Sequence, residues 1–241
     1  MNTISKILKN IRKIGTRFIK TTVRKINAIF VRRESFGLSK LDLKLRPYLK
    51  DIKNGFFIEA GANDGIKQSN TYYFEKYLDW TGLLIEPIPE VFEKCRKNRP
   101  NNLTENYALV SSDYPAKTIT MRYSNLMSVV KGGMQSKEDE DRHIENGCKL
   151  KNIQTYEVEV PTSTLTSILD KHNVKKIDFL SLDVEGYELS ALRGLDFNRY
   201  RPSYILAEAR YKDEISDFLT KQHYQAVASF NEYDILFQST K

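Results

Sequence analysis

The chain has 241 residues, 40% hydrophobic and 29% charged, which suits one well-buried domain and argues against a disordered chain. Two cysteines, Cys95 and Cys148, are too few for a disulfide framework and form no Cys-x-x-Cys pair, so a reducing, cytoplasmic setting is expected. The net charge of +7 suggests nucleic acid, but residues 1–33 hold ten Lys or Arg and no Asp or Glu. Removing those ten from the 38 basic residues leaves 28 against 31 acidic ones, so the rest of the chain carries about −3.

Within residues 1–33, Ile4, Ile7, Leu8, Ile11, Ile14, Phe18 and Ile19 recur at three- and four-residue steps, one apolar stripe if the segment is helical. Basic residues fall between them. This pattern suits a helix lying peripherally on an anionic membrane surface, and equally a helix packing on its own domain or on a second subunit. Lysines and arginines interrupt every apolar stretch, which disfavours a secretory signal, while an organelle transit peptide stays open. With only Phe18 and Phe30 to stack on bases, RNA is a weaker partner. No apolar run reaches the roughly 20 residues that cross a bilayer.

Residues 1–37 are therefore read as a basic arm and 38–241 as one domain in which strands and helices alternate. The run 55–59 (GFFIE) reads as a buried strand, 69–78 as a helix, 82–85 as a second strand and 89–98 as a helix with Pro89 near its start. Residues 103–110 read as a third strand. An insertion over about 112–154 breaks the rhythm, with alternating segments at 118–123 and 156–160 around an acidic stretch. Of that stretch, 137–143 (KEDEDRH) reads as a solvated helix face, with His143 a candidate base if the insertion folds over a cleft. Alternation then resumes: helix 164–171, strand 177–182, helix 189–195, strand 204–207 and helix 214–221. A β-hairpin closes the chain at 224–237. The pattern predicts a doubly wound α/β fold with a mostly parallel sheet and an antiparallel strand at or near one edge.

Ligands of such sheets bind beyond the carboxyl ends of the strands. The first strand ends in Glu59-Ala-Gly61-Ala-Asn63-Asp64-Gly65, where glycines allow backbone to approach a ligand closely. The second ends in Glu86-Pro87, about twenty residues on, where an acid can accept both hydroxyl protons of a ribose. There is neither a Gly-x-Gly-x-x-Gly pattern nor a P-loop lysine. The pair thus points to an adenosyl nucleoside without pyrophosphate, which favours S-adenosylmethionine over NAD. A third strand end carries Asp183-Val-Glu185-Gly186, and Glu208 closes the next strand. Three carboxylates at adjacent strand ends need a cation or a proton. The sulfonium of the cofactor, a divalent ion such as Mg or Mn, or Arg210 would each supply one. Alternatively, Glu185 caps the following helix. His172 and His223 read as surface residues, and Cys95 shows no partner that would make it a nucleophile.

These residues resemble the FkbM family of methyltransferases. The matching stretches are FFIEAGANDGIKQSNTYYFEKYLDWTGLLIEPIPEVFEKCRKNRP, NYALVS, YEVEVPTSTLTSIL and IDFLSLDVEGYELSALRGL, within about residues 55–210. The ordered combination of GANDG, SNTYYFEK, W-x-G-x-x-x-EP and LDVEG is what makes the match specific. The resemblance implies a Rossmann-like methyltransferase fold and O-methylation, commonly of sugars in polysaccharides or glycosylated natural products. It further implies that Glu59, Gly61, Asn63, Asp64 and Gly65 border the methionine part of the cofactor, with Ser69 and Asn70 nearby. Glu86 and Pro87 would lie at the ribose, Ala108 and Leu109 beside the adenine, and Asp183 facing the methyl group. Asp183 is then the first choice for base or metal ligand, with Glu185 and Glu208 supporting it. Nucleic-acid and protein methyltransferases are the rival enzymes, although amino groups of bases are usually served by an Asn/Asp-Pro-Pro-aromatic turn and this chain has Asp183-Val-Glu-Gly. The remaining rival is a nucleoside-binding protein without catalysis.

Overall fold

The computed structural model describes residues 34–241, and the expected helix over residues 1–33 lies outside them. The compact unit is Phe36–Lys241. Its first helix, α1 (Leu41–Leu49), precedes strand β1 (Phe56–Ala60), and α2 (Tyr72–Leu78), β2 (Thr81–Ile85), α3 (Pro89–Asn98) and β3 (Leu103–Glu105) follow in strict alternation. The chain then leaves the main sheet. Strands β4 (Ala108–Leu109), β5 (Thr118–Tyr123), β6 (Val129–Val130) and β7 (Tyr156–Ser163), with helix α4 (Lys137–Lys151), form a separate layer. It returns through α5 (Leu165–Lys171), β8 (Phe179–Leu182), α6 (Glu188–Arg193), β9 (Tyr204–Glu208) and α7 (Lys212–Lys221). The hairpin β10 (Tyr224–Ser229) and β11 (Asp234–Ser239) ends it.

The main sheet has seven strands in the order β10-β11-β9-β8-β1-β2-β3, with β11 antiparallel to both its neighbours. This is the doubly wound α/β sheet that the alternation predicts. Because β1 is flanked by β2 on one side and β8 on the other, strand order reverses between β1 and β8, and ligands collect at such a reversal. The four central strands are mostly apolar and buried along most of their length, as strands covered on both faces are, with Glu59, Ser181 and Glu208 near their carboxyl ends. Ile58, Leu180 and Ile205 pack with Leu165 and Ile168 of α5, Leu192 of α6 and Leu219 of α7.

In three places the structure departs from the pattern. Residues 103–110 are two strands in different sheets, because the Asn106 side-chain amide donates to the carbonyls of Glu86 and Pro87 (both 2.8 Å) and turns the chain between them. Helix α2 begins at Tyr72 and not at residue 69, because Ser69, Asn70 and Thr71 are bound to the buried carboxylate of Glu59. The stretch 137–143 is helical and capped by Ser136, which accepts from the Asp139 amide, yet it is only partly a solvated face: Glu140 and His143 are buried. Glu140 turns inward because it binds Arg122 of β5 (2.8 Å) and the Gly132 amide (2.7 Å). Among the described residues no helix is long and apolar enough to cross a membrane.

Candidate active site

The carboxyl ends of β1, β2, β8 and β9 open on one cavity of about 520 Å³. Gly61, Asn63, Ser69, Glu86, Pro87, Ala108 and Leu109 reach it from the first half of the chain. Asp183, Glu185 and Glu208 reach it from the second. The inserted layer supplies the other wall through Met121, the segment 124–128, His143 and Gly147.

The loop after β1 is held tightly. Gly61 has φ +81°, and a Cβ there would stand 1.8 Å from the Asp183 carbonyl oxygen, so only glycine lets the ends of β1 and β8 meet this closely. The amides of Gly61 and Ala62 both donate to the Ile85 carbonyl at 3.0 Å, which ties the loop to β2. Asp64 turns its carboxylate to the amides of Ile66 and Lys67 and does not line the cavity. Gly65 lies against Cys95 and Arg99, and Asn70 donates to Ser181 Oγ (3.1 Å), so these two also stand behind the cavity wall. Glu59 lines the cavity but spends its oxygens on Ser69 Oγ (2.8 Å), the Asn70 amide (2.7 Å) and Thr71 Oγ1 (2.6 Å). Burial raises its carboxyl above the ordinary range while Arg99 pulls it back. Arg99, fully buried, also pairs with Glu75 and donates to the Gly65 carbonyl. Sequence reasoning missed Arg99, since a lone arginine after a helix carries no local signal of burial.

Glu86, 6% exposed, stands where an acid could meet a ribose. One carboxyl oxygen accepts from the Asn63 amide and the other from the Ile88 amide, both at 2.9 Å, which fixes its orientation and leaves lone pairs toward the cavity. Burial pushes it up to about 7, against the opposing pull of those two amides. Tyr107, Ala108 and Leu109 form an apolar wall of the same cavity, suited to a planar ring.

The acids of β8 and β9 do converge: oxygens of Asp183, Glu185 and Glu208 all lie within 4.8 Å of one another. Asp183 is accessible through the cavity yet sits deep in the protein. Desolvation, followed by the charges of Glu208 and Glu185, raises it well above the usual carboxylate range. Glu208 is raised too, by burial and by the charge of Glu185. Arg210 Nη2 reaches Glu185 Oε2 at 3.2 Å. The helix cap that the sequence leaves open for Glu185 belongs to Glu188, whose Oε1 accepts from the amides of Val184 and Gly186, both at 3.0 Å. Glu185 itself has φ +55°, a conformation that costs a non-glycine residue about 1–2 kcal/mol and here turns its side chain to the cavity. From the inserted layer, His143 Nε2 comes within 3.1 Å of Glu185 Oε2, so the insertion does fold over the cleft. His172 is half-buried against Glu105, His223 is exposed, and the buried Cys95 thiol is pushed up to about 12 by its burial; none of the three lines the cavity.

The chain is similar to known methyltransferases. The methyltransferase FkbM domain matches residues 59–232. Methyltransferase 1 of Beauveria bassiana is 29% identical over 185 residues, which is 71% of this chain and 69% of that protein. Methyltransferase sdnD of Sordaria araneosa is 23% identical over 191 residues, 72% of this chain and 71% of that one. The crystal structure of the methyltransferase FkbM from Methylobacillus flagellatus superimposes with a TM-score of 0.49 at 14% identity, covering 82% of this chain and 47% of that one, so the chain spans about half its length. With the domain match running through every strand end that forms the cavity, the chain belongs to the methyltransferase FkbM domain family.

Proposed function

We propose that the protein transfers the methyl group of S-adenosylmethionine to a hydroxyl oxygen, on a sugar of a glycan, polysaccharide or glycosylated metabolite. The observation that carries this reading is the meeting, in one cavity, of a ribose-competent acid (Glu86) with a cluster of three carboxylates (Asp183, Glu185, Glu208). Adenosine would lie between Glu86 and the wall of Tyr107, Ala108 and Leu109, and the sulfonium near Asp183. In the reaction the sulfur–methyl bond breaks, an oxygen–methyl bond forms and the sulfonium becomes a thioether. The hydroxyl proton leaves to the carboxylate cluster, Asp183 first, whose ionised form the sulfonium charge favours. Holding the acceptor oxygen in line with the sulfur–methyl bond is the other large contribution.

The acidic balance of the body speaks against a nucleic-acid acceptor, and polar side chains at the cavity (Lys67, Gln68, Asn125) suit a hydroxylated one. The basic residues 1–33 we assign to an anionic membrane surface, on their apolar stripe and absence of acids. The deciding experiment incubates the full chain with methyl-tritiated cofactor and separated glycan, lipid, protein and RNA fractions of the host. Label in the glycan or glycosylated-metabolite fraction, lost on Asp183→Asn, is expected. Label confined to RNA or protein would overturn the acceptor assignment.

A further inference from the structure

We propose that the acceptor is an anionic amphiphile, a sugar joined through a phosphodiester to an apolar chain, and that Leu38, Lys67, Leu150 and Lys151 hold its chain and phosphate at the mouth of the cavity. This names the acceptor class of the methyl-transfer reading and rests on that reading.

Two leucines stand in water at the mouth. Leu38 is 58% exposed and Leu150 75%, the two most exposed large apolar side chains among the described residues, and both line the cavity. A single exposed leucine is ordinary on a protein surface, but two on the rim of one cavity suit an apolar partner. They belong to different walls. Leu38 precedes α1, next to Gly37, which pairs with Gln68 of the loop after β1. Leu150 lies in the last turn of α4, in the inserted layer. Ser39 (φ +51°) and Lys40 (φ +60°) take the left-handed conformation that is uncommon outside glycine, so the backbone just after Leu38 is held against its own preference. Leu126 and Met127, half-buried, add to the apolar lining of the inserted wall.

Charge divides along the same cavity. Lys67 and Lys151, one on each wall, are exposed, and neither pairs with an acid among the described residues. The other lining residues include five acids: Glu59, Glu86, Asp183, Glu185 and Glu208. Burial already disfavours charge on Glu59, Glu86, Asp183 and Glu208, and an added anion beside them would disfavour it further. An anionic group of the acceptor is therefore repelled from the interior and drawn to the rim, while a cationic sulfonium is drawn inward. The cavity sorts an acceptor end to end, with neutral hydroxyls inward and phosphate and chain outward. Each ammonium can give the phosphate a charge-assisted hydrogen bond. The basic, acid-free residues 1–33 end five residues before Leu38, so an arm held on an anionic membrane is tethered beside the rim that such an acceptor must reach.

The test uses the full chain and three probes below their micelle-forming concentrations: octyl glucosyl phosphate, octyl glucoside and glucose 1-phosphate. By calorimetry the phosphodiester is expected to bind more tightly than either of the others. It should also slow acetylation of Lys67 and Lys151, read by mass spectrometry, while the exposed Lys117 and Lys221 outside the cavity label as before. That footprint separates the rim from any contact of the probe with residues 1–33. Replacing both lysines (Lys67→Gln with Lys151→Gln) should weaken phosphodiester binding about two- to thirtyfold, the combined worth of two exposed ion pairs, and leave octyl glucoside binding unchanged. Leu38→Ser with Leu150→Ser should weaken binding of both octyl compounds by roughly tenfold. All four side chains are exposed, so an unchanged Tm is expected of each variant. Octyl glucoside or glucose 1-phosphate binding as tightly as the phosphodiester overturns the proposal. So do unprotected Lys67 and Lys151, or variants that bind like the parent. Calorimetry with S-adenosylmethionine on the same samples separates the two readings. Cofactor binding without lysine protection sinks only the amphiphile, and lysine protection without cofactor binding sinks only methyl transfer.

Discussion

Asp183 and Glu86 stand on either side of the same cavity, and single substitutions at each should separate chemistry from binding. Asp183→Asn keeps the shape of the side chain and removes its charge. Cofactor affinity should change little while turnover falls roughly 10²- to 10⁴-fold, the usual worth of a positioned base. A fully active variant would reject the assignment of the cluster. Glu86→Ala should weaken cofactor binding by about 1.5–3 kcal/mol for each charged hydrogen bond lost, measured calorimetrically. Glu86 also makes a pH prediction. Its carboxyl is raised from 4.5 to about 7 by burial, so within that window the folded protein holds a proton that the unfolded chain has released. Stability therefore falls as pH rises from about 4.5 to 7, by on the order of 3 kcal/mol for this group alone. Glu86→Gln stays neutral throughout and should flatten the decline of Tm over that range; a variant whose Tm falls as steeply as the parent's would contradict the account.

At the scale of elements, the turn from β8 into α6 depends on one side chain. Glu188 is fully buried and accepts from two amides of the turn that presents Glu185 to the cavity. Glu188→Ala should cost about 1–3 kcal/mol in urea unfolding, and Glu188→Gln, which keeps an acceptor oxygen, should recover most of it. Gly61→Ala meets both a positive φ and a backbone oxygen at 1.8 Å, so a loss of roughly 2–5 kcal/mol is expected from the same measurement. The segment Asp183-Val-Glu-Gly-Tyr-Glu188 shows what a sequence can convey here. That it ends a buried strand and gathers acids is legible from the apolar run before it and the glycine within it. Which acid caps and which faces the cavity is not, because both lie within one turn and the left-handed backbone at Glu185 decides between them. Asn106 conceals the break in 103–110 for a related reason: its two acceptors, the carbonyls of Glu86 and Pro87, are distant in the chain. His143 is readable as helical from its neighbours, but its burial follows from contacts such as those of Glu140 with β5, which no local pattern displays.

At the scale of the whole molecule, charge is divided unevenly: ten basic residues and no acidic ones before residue 34, and about −3 afterwards. Core, cavity and every candidate ligand named above lie within Phe36–Lys241, which is compact by itself. Deleting residues 1–33 should therefore leave a folded protein whose Tm and cofactor affinity match those of the full chain. The surface behaviour should differ. The full chain is expected to float with vesicles containing anionic lipid and to be released as salt rises, because each lysine or arginine near such a surface contributes about 1 kcal/mol that is screened within a Debye length. The truncated chain, with its acidic balance, should stay with the soluble fraction at every salt concentration. Neutral vesicles provide the control, since an arm held by its apolar stripe alone would bind them as well and ignore salt. Loss of folding on deletion, together with no flotation of the full chain, would instead identify residues 1–33 as a packing helix whose stripe is covered by protein.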